Sequence, residues 1–345
     1  MRNRHPDSSV VDAQALPRII RLSENLYGAA FTLMKLLPAR FMLDRAAAEG
    51  RLKPGTTVIE TTSGTLGLGL AMICCLRRYP LIIVSDPAIE PPLQRRLEEL
   101  GARVEIVRTP APTGGLQGAR LARMAELQAE YPEHFWPSQY ANPHNPAAYA
   151  PFAELVAESV GQVDCLLGTV GSGGSVFGTG AYLRHLFPKM KVVGIDTFGS
   201  VLFGQPDQKG RLLRGLGNSI MPKNVDHPQI DEAHWVSAAA GFAATRALHR
   251  EHALYMGPTS GTAYLVARWW AKQHPDKKAV VIFPDEGYRY QDTVYNDAWL
   301  REKDLVLDAL PQAPLVADDP RTATGHWASF AWNRRTLQQV LEQAA

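Results

Sequence analysis

A glycine-rich segment near the middle of the chain has the composition of an anion-binding loop. A predicted strand ends near Thr169, an apolar helix begins soon after, and between them lie Gly171, Ser172, Gly173, Gly174 and Ser175. Glycine lets the backbone approach an anion closely, and a helix start offers free N–H groups. The run lacks the lysine of a P-loop and the acidic residue of a dinucleotide fingerprint. It predicts a cradle for a non-nucleotide phosphate; the alternative is an ordinary turn between strand and helix.

A lysine interrupts an apolar run closer to the N-terminus. Lys35 is flanked by Leu33, Met34, Leu36 and Leu37. A lysine in such a run either extends its ammonium group to solvent or is held inside for its chemistry. An amine kept in apolar surroundings can form a Schiff base with an aldehyde. Together with the phosphate cradle, Lys35 predicts pyridoxal 5′-phosphate as cofactor, with the lysine on the aldehyde.

A hydroxyl-rich loop joins a second predicted strand and helix. Residues 56–60 have the pattern of a strand and residues 65–78 that of an apolar helix, and the loop between them contains Thr62, Ser63, Gly64 and Thr65. Hydroxyl groups and the free amides of a helix start are suitable ligands for a carboxylate. The loop therefore predicts a receptor for the α-carboxylate of an amino-acid substrate.

The bulk composition narrows the class of protein. The chain has 345 residues, enough for about two domains, and its net charge of +2 argues against nucleic-acid binding. The N-terminus has no apolar core of signal-peptide length, and the longest apolar run, 66–76, is too short to span a membrane, so we expect a soluble cytoplasmic protein without a membrane partner. Cys74, Cys75 and Cys165 lie in apolar stretches and are predicted to be reduced core residues. His144 and His252 have no partner at ligand spacing, and no metal site is predicted.

Strand-like and helix-like patterns alternate along most of the chain. This order predicts an α/β fold with mostly parallel sheets flanked by helices. Residues 310–320 have the composition of a linker, and an aromatic stretch followed by a helical pattern ends the chain. The predicted strands are 56–60, 81–86, 103–107, 163–170, 191–196 and 279–285.

With these motifs the chain resembles the pyridoxal-phosphate-dependent cysteine synthase and cystathionine β-synthase family, of the tryptophan-synthase-β-like fold type II. The resemblance runs from about Pro17 to Leu300. It rests on "MKLLPARFMLDRAAAEGRLKPG", "ETTSGTLGLGLAM", "QYANPHNPAAY", "GSGGS", "MGPTSGTAYLVA" and "FPDEGYRYQDT". Each motif alone is weak evidence, but their occurrence together and over this length is specific.

The resemblance implies a role for individual residues. Lys35 is implied as the Schiff-base lysine and as the base that removes the substrate Cα proton. Thr259, with Ser260 as the second choice, is implied to face the pyridine nitrogen with a neutral hydroxyl, which suits β-elimination better than transamination. Gln139 is implied to help hold the substrate carboxylate. Thr65 stands where the family usually has an asparagine that contacts the cofactor's 3′-oxygen.

The resemblance also implies an architecture. It predicts a large cofactor domain from residues 1–41 and 147–310, a small mobile domain from 42–146 that carries the substrate loop, and a homodimer. Residues 311–345 are predicted to form a tail that serves as a lid or an oligomer contact.

The implied activity is a β-replacement. The family forms an aminoacrylate from an activated L-serine, here O-acetyl- or O-phosphoserine, and adds a nucleophile at Cβ. Because Thr65 and Leu66 depart from the usual loop, we expect a specialised branch that makes a non-standard amino acid. The alternatives are a lyase that stops at elimination, such as a cysteine desulfhydrase or a serine/threonine dehydratase, and a non-catalytic binding module.

A basic stretch is predicted near the mouth of the active site. Gly215 belongs to a family segment in that position, and Arg214 precedes it, after Lys209 and Arg211. These cations are suited to the phosphate of O-phosphoserine or to a carboxylate of a second substrate. The alternative is a solvated surface loop.

Overall fold

The computed structural model describes residues 7–112 and 115–343 and divides into two compact units. The first comprises Leu33–Ala148 together with the N-terminal stretch that ends at Ala15. The second comprises Leu16–Thr32 and the chain from Tyr149 onward. In the described residues, no helix has both the length and the apolar composition needed to cross a membrane.

The strands are β1 (Arg18–Arg21), β2 (Leu26–Ala30), β3 (Val58–Thr61), β4 (Leu81–Ser85), β5 (Arg103–Ile106), β6 (Cys165–Thr169), β7 (Lys191–Thr197), β8 (Glu232–Val236), β9 (Ala279–Phe283), β10 (Leu315–Val316) and β11 (Trp327–Ala331). The α-helices are α1 (Val10–Ala13), α2 (Leu36–Ala48), α3 (Thr65–Arg77), α4 (Pro91–Glu99), α5 (Gly115–Glu130), α6 (His144–Ala147), α7 (Ala150–Val160), α8 (Gly174–Leu186), α9 (Ala238–His252), α10 (Pro258–Gln273), α11 (Asp297–Glu302) and α12 (Leu337–Gln343).

The first unit contains a three-stranded parallel sheet in the order β3-β4-β5. Both faces of this sheet are covered. Val58 and Ile83 point into a core shared with α2, α3 and α4, while Ile59 and Val84 pack against Met124 and its neighbours on α5. Strands buried on both faces are expected to be almost continuously apolar. Residues 58–59 and 81–84 have that composition, which is why these segments form strands.

The second unit is built on an eight-stranded sheet in the order β1-β2-β9-β6-β7-β8-β11-β10. Strands β2, β9, β6, β7 and β8 are parallel to their neighbours, while β1 and β11 join them antiparallel. The strand β6 is therefore central. In sheets of this kind, ligands bind beyond the carboxyl ends of the strands. The glycine-rich loop begins just beyond that end of β6.

The predicted α/β class is confirmed, and the six predicted strands correspond to β3, β4, β5, β6, β7 and β9. The C-terminal region holds more regular structure than its composition indicated. Residues 315–316 form β10, and the aromatic stretch forms β11, whose Trp327 is buried in the core of the second unit. A lid or oligomer role for 311–345 stays a prediction. The three cysteines are free, but Cys75 is exposed near the end of α3, so the predicted core position is wrong for this residue.

Candidate active site

The glycine-rich loop adopts a conformation that only glycine fits well. Gly173 precedes α8 with a φ of 82°, and a Cβ built on it would lie 2.6 Å from the backbone C and O of Asn224. A Cβ on Gly171 would lie 2.9 Å from the carbonyl oxygen of Gly215. Within the described residues, no side chain caps the start of α8. Its first amides are therefore free to bind an anion.

The remaining loop residues lie on the same turn. Ser172 and Gly174 are buried, whereas Ser175 is half-buried. All five residues predicted for the cradle thus lie between the carboxyl end of β6 and the first turn of α8. The backbone of this turn is closed in by the segments around Gly215 and Asn224. This arrangement fits a phosphate group bound mainly through backbone amides.

Two buried hydroxyls mark the start of another helix in the same unit. Thr259 and Ser260 lie in the first turn of α10, and both are buried. Neither side-chain oxygen has a hydrogen-bond partner among the described residues. Leaving buried hydroxyls unpaired costs about 1–3 kcal/mol each, so a site that keeps two of them is suited to a polar ligand.

Gly215 links these hydroxyls to the phosphate cradle. Its carbonyl oxygen faces Gly171, and a Cβ built on Gly215 would lie 3.0 Å from Cγ2 of Thr259. The second unit therefore brings together Gly171, Gly215 and Thr259, which are widely separated in sequence. A phosphate cradle and an unpaired hydroxyl that both lie next to Gly215 fit pyridoxal phosphate, whose phosphate and ring nitrogen need these two kinds of group.

Lys35 belongs to the first unit and immediately precedes α2. The residue is half-buried, and its backbone packs closely against α3, since a Cβ on Gly69 would lie 2.9 Å from the Lys35 carbonyl oxygen. Burial lowers the pKa of Lys35 to about 8, while the negative charge of Glu60 opposes this shift. About a tenth of the amine is therefore unprotonated at pH 7, far more than for an ordinary lysine, and this favours its use as a nucleophile or a general base.

The hydroxyl-rich loop lies between β3 and α3, also in the first unit. Gly64 precedes α3, and Thr65 is its first residue. The amide of Gly64 donates a hydrogen bond to Oγ1 of Thr62 at 3.1 Å, so the Thr62 hydroxyl already shapes the loop. Ser63 and Thr65 are half-buried. The loop thus offers Ser63, Thr65 and the start of α3 to a carboxylate.

Gln139 lies close to the end of the same strand. Its amide donates to Oε2 of Glu60 at 3.3 Å, and its carbonyl oxygen accepts a hydrogen bond from the buried Asn145 at 2.7 Å. Glu60 is the residue that follows Ile59 in β3 and precedes the hydroxyl-rich loop by one residue. The structure therefore brings Gln139 and the loop to the same end of β3.

Two buried carboxyl groups were missed by sequence reasoning. Glu60 in β3 is 1% exposed, and Asp196 in β7 is fully buried. Burial raises the pKa of each to about 7. Each lies near the carboxyl end of a parallel strand, where functional groups concentrate. The only sequence signal was an acidic residue at the end of an otherwise apolar run.

The basic stretch before Gly215 has a mixed role. Arg211 donates to Oδ1 of Asp207 at 2.6 Å and to Oγ of Ser219 at 2.7 Å, so its guanidinium braces the loop. Lys209 and Arg214 are exposed. In the part of the chain that the structure describes, Arg214 makes no ion pair or hydrogen bond. Of these three cations, Arg211 is the one already committed to the protein.

We expect Ser63→Ala to weaken binding of the amino-acid substrate while cofactor content stays normal. Loss of a hydrogen bond to a charged group costs about 1.5–3 kcal/mol, so the KM for the substrate should rise by about tenfold or more. Thr62→Ala should weaken binding as well, because it also releases the Gly64 amide. Ser63→Thr keeps the hydroxyl and is the matched control. A variant that loses cofactor but keeps its substrate KM would contradict the assignment.

Comparisons with known proteins agree with this geometry. A family model described as pyridoxal-phosphate dependent enzyme matches residues 34–285. An N-(2-amino-2-carboxyethyl)-L-glutamate synthase from Cupriavidus metallidurans is 36% identical over 269 residues, which are 76% of this chain and 79% of that protein. The enzyme of the same name from Ralstonia nicotianae is 32% identical over 307 residues, or 85% of this chain and 90% of that protein.

A solved structure supports the fold as well. The O-acetylserine dependent cystathionine beta-synthase from Helicobacter pylori is 26% identical and superposes with a TM-score of 0.77. The match covers 85% of this chain and 100% of that chain.

Proposed function

Because this chain belongs to the family of pyridoxal-phosphate dependent enzymes, we propose that it is a β-replacement synthase that joins an amine nucleophile to Cβ of an activated L-serine. The observation that carries the proposal is the buried, unpaired hydroxyl of Thr259 beside the Gly215 segment. An aspartate opposite the pyridine nitrogen would keep that nitrogen protonated, whereas a neutral hydroxyl does not. This favours elimination and replacement at Cβ over transamination.

The cofactor, when bound, supplies an aldehyde that captures amines and a ring that stabilises negative charge at the substrate Cα. The amides at the start of α8 and the hydroxyls of Ser172 and Ser175 would hold its phosphate. Thr259, with Ser260 beside it, would contact the ring nitrogen. Thr65 would reach the 3′-oxygen.

Lys35 would hold the aldehyde and, once released, would take the Cα proton on Nζ. Its lowered pKa suits both tasks, since the same amine must be unprotonated to attack and to accept a proton. Ser63, the α3 amides and Gln139 would hold the substrate carboxylate and so aim the Cα proton at Nζ.

The names of the relatives indicate the nucleophile. In N-(2-amino-2-carboxyethyl)-L-glutamate, the three carbons of a serine are attached through Cβ to the nitrogen of glutamate. We therefore propose that the second substrate of this chain is an amino acid that attacks through its amine, with L-glutamate the first to test. Arg214, exposed before Gly215, is suited to a carboxylate of that substrate.

Three further features are part of the proposal. We expect a homodimer in the cytoplasm, with a mobile domain of residues 42–146 that closes over the substrate and excludes water. Two buried thiols and one exposed thiol, all free, are compatible with a reducing compartment. Light scattering after size-exclusion chromatography measures the oligomeric state directly.

The reaction is tested with the purified holoenzyme, O-acetyl-L-serine or O-phospho-L-serine, and L-glutamate present or absent. We expect a condensation product detected by mass spectrometry with one ester, and little pyruvate. L-Glutamine, an amine without the side-chain charge, is the matched control and should react more slowly. Pyruvate formed at the same rate with and without an amine would identify a lyase instead. No conversion of either ester, and no absorbance band after incubation with pyridoxal phosphate, would favour a binding module.

A further inference from the structure

A buried carboxylate lies between the two substrate-binding elements of the first unit. Oε1 of Glu60 accepts hydrogen bonds from the Thr61 amide at 2.8 Å and from Nε1 of Trp136 at 3.0 Å. Oε2 accepts one from the Gln139 amide at 3.3 Å. The Glu60 side chain is only 1% exposed, and these three donors fix the position of its carboxylate.

The same side chain is directed toward the element that carries Lys35. Side chains two residues apart in a strand point to the same face of a sheet. Val58 lies in the core with α2 and α3, whereas Ile59 packs on the opposite face with α5. Glu60 therefore shares the face of Val58, and α2 on that face begins directly after Lys35.

We propose that Glu60 is a positioning residue of the active site: it ties the segment 136–139 to the hydroxyl-rich loop and places a negative charge near the amine of Lys35. This inference rests on the proposed roles of Lys35 and Gln139. Glu60 would align the catalytic amine with the carboxylate receptor by acting through Lys35 and Gln139.

The negative charge of Glu60 acts on the amine of Lys35. It raises the Lys35 pKa, against the larger effect of burial. On the other face of the sheet, Arg120 of α5 forms an ion pair at 3.3 Å with Asp86, the residue that follows β4. Trp136, Thr61 and Gln139 face Glu60 with uncharged donors. Because burial raises the pKa of Glu60 to about 7, its charge is fully present only above that pH.

The test is the titration of Lys35 in the full-length chain after removal of the cofactor. Acetylation by acetic anhydride over a pH series, read lysine by lysine with mass spectrometry, reports the unprotonated fraction of each amine. Lys53, exposed in the same unit, is the internal reference. An opposite charge nearby favours the protonated amine, so Glu60→Gln should move the Lys35 midpoint to lower pH by about one unit. Glu60→Asp keeps the negative charge, so its Lys35 midpoint should stay close to that of the parent protein.

Glu99→Gln makes the same chemical change at an exposed position in α4 and should leave the midpoint unchanged. If Glu60→Gln does not fold, Trp136→Phe replaces it. This variant removes the hydrogen bond from Nε1 of Trp136 to Glu60 and so favours the protonated, uncharged form of Glu60. The Lys35 midpoint should therefore fall, but by less than in Glu60→Gln. An unchanged Lys35 titration in a variant with parental circular dichroism would overturn the proposal. Because no substrate or cofactor is present, that result would leave the proposed reaction standing.

Discussion

Replacing Lys35 with alanine is expected to abolish both the visible absorbance band of the bound cofactor and the β-replacement activity. Lys35 offers an amine whose pKa burial lowers to about 8. Its loss removes the covalent bond to the aldehyde and also the base for the Cα proton. Loss of general-base catalysis alone reduces rates by on the order of 10³-fold. The spectrum and the rate of product formation are measured on the same preparation, after saturation with pyridoxal phosphate.

Lys53→Ala is the matched control for this experiment. Lys53 is an exposed lysine of the same unit, so its removal should leave both the band and the rate unchanged. An added primary amine should restore a little activity to Lys35→Ala if only the proton-accepting group is missing. A Lys35→Ala protein that kept the band and parental turnover would place the reactive amine elsewhere in the chain.

The parts of the site that sequence predicts well are those encoded within a few residues. The glycine-rich loop is one such case, because strand, glycines and helix are contiguous and the positive φ of Gly173 needs glycine. The resemblance to the cysteine synthase and cystathionine β-synthase family, the fold type II and the cofactor are confirmed by the family match and the structural neighbours. The roles of single residues stay predictions.

The parts that sequence did not reveal depend on distant partners. Glu60 is separated by 76 residues from Trp136, so nothing local distinguishes it from a solvated strand end. Arg211 belongs to a basic stretch, and only its bonds to Asp207 and Ser219 show that it braces the loop. The strands β1, β2, β8, β10 and β11 escaped prediction, and each is recognised only through its pairing in the sheet of the second unit. These features require tertiary contacts that composition and periodicity do not encode.

The substitution Gly173→Ala is expected to weaken cofactor binding by about tenfold to hundredfold. The new Cβ would lie 2.6 Å from the backbone of Asn224, which cannot rotate away as a side chain can, and alanine disfavours a φ of 82°. Such strain costs about 1–3 kcal/mol and is relieved by moving the loop, which withdraws the α8 amides from the phosphate. Titration of the cofactor-free protein with pyridoxal phosphate, followed by absorbance, measures the effect.

The same titration with pyridoxal, which lacks the phosphate, separates a lost cradle from general damage. If the loop binds the phosphate, Gly173→Ala should weaken pyridoxal binding far less than pyridoxal phosphate binding. Gly101→Ala is the control, because Gly101 has a φ of 87° but a Cβ added to it would meet no atom within 4 Å. It should lose some stability and keep its cofactor affinity. If Gly173→Ala weakened the binding of both ligands equally, its effect would not depend on the phosphate. The strained turn would then disturb the whole site, and the phosphate would be held elsewhere.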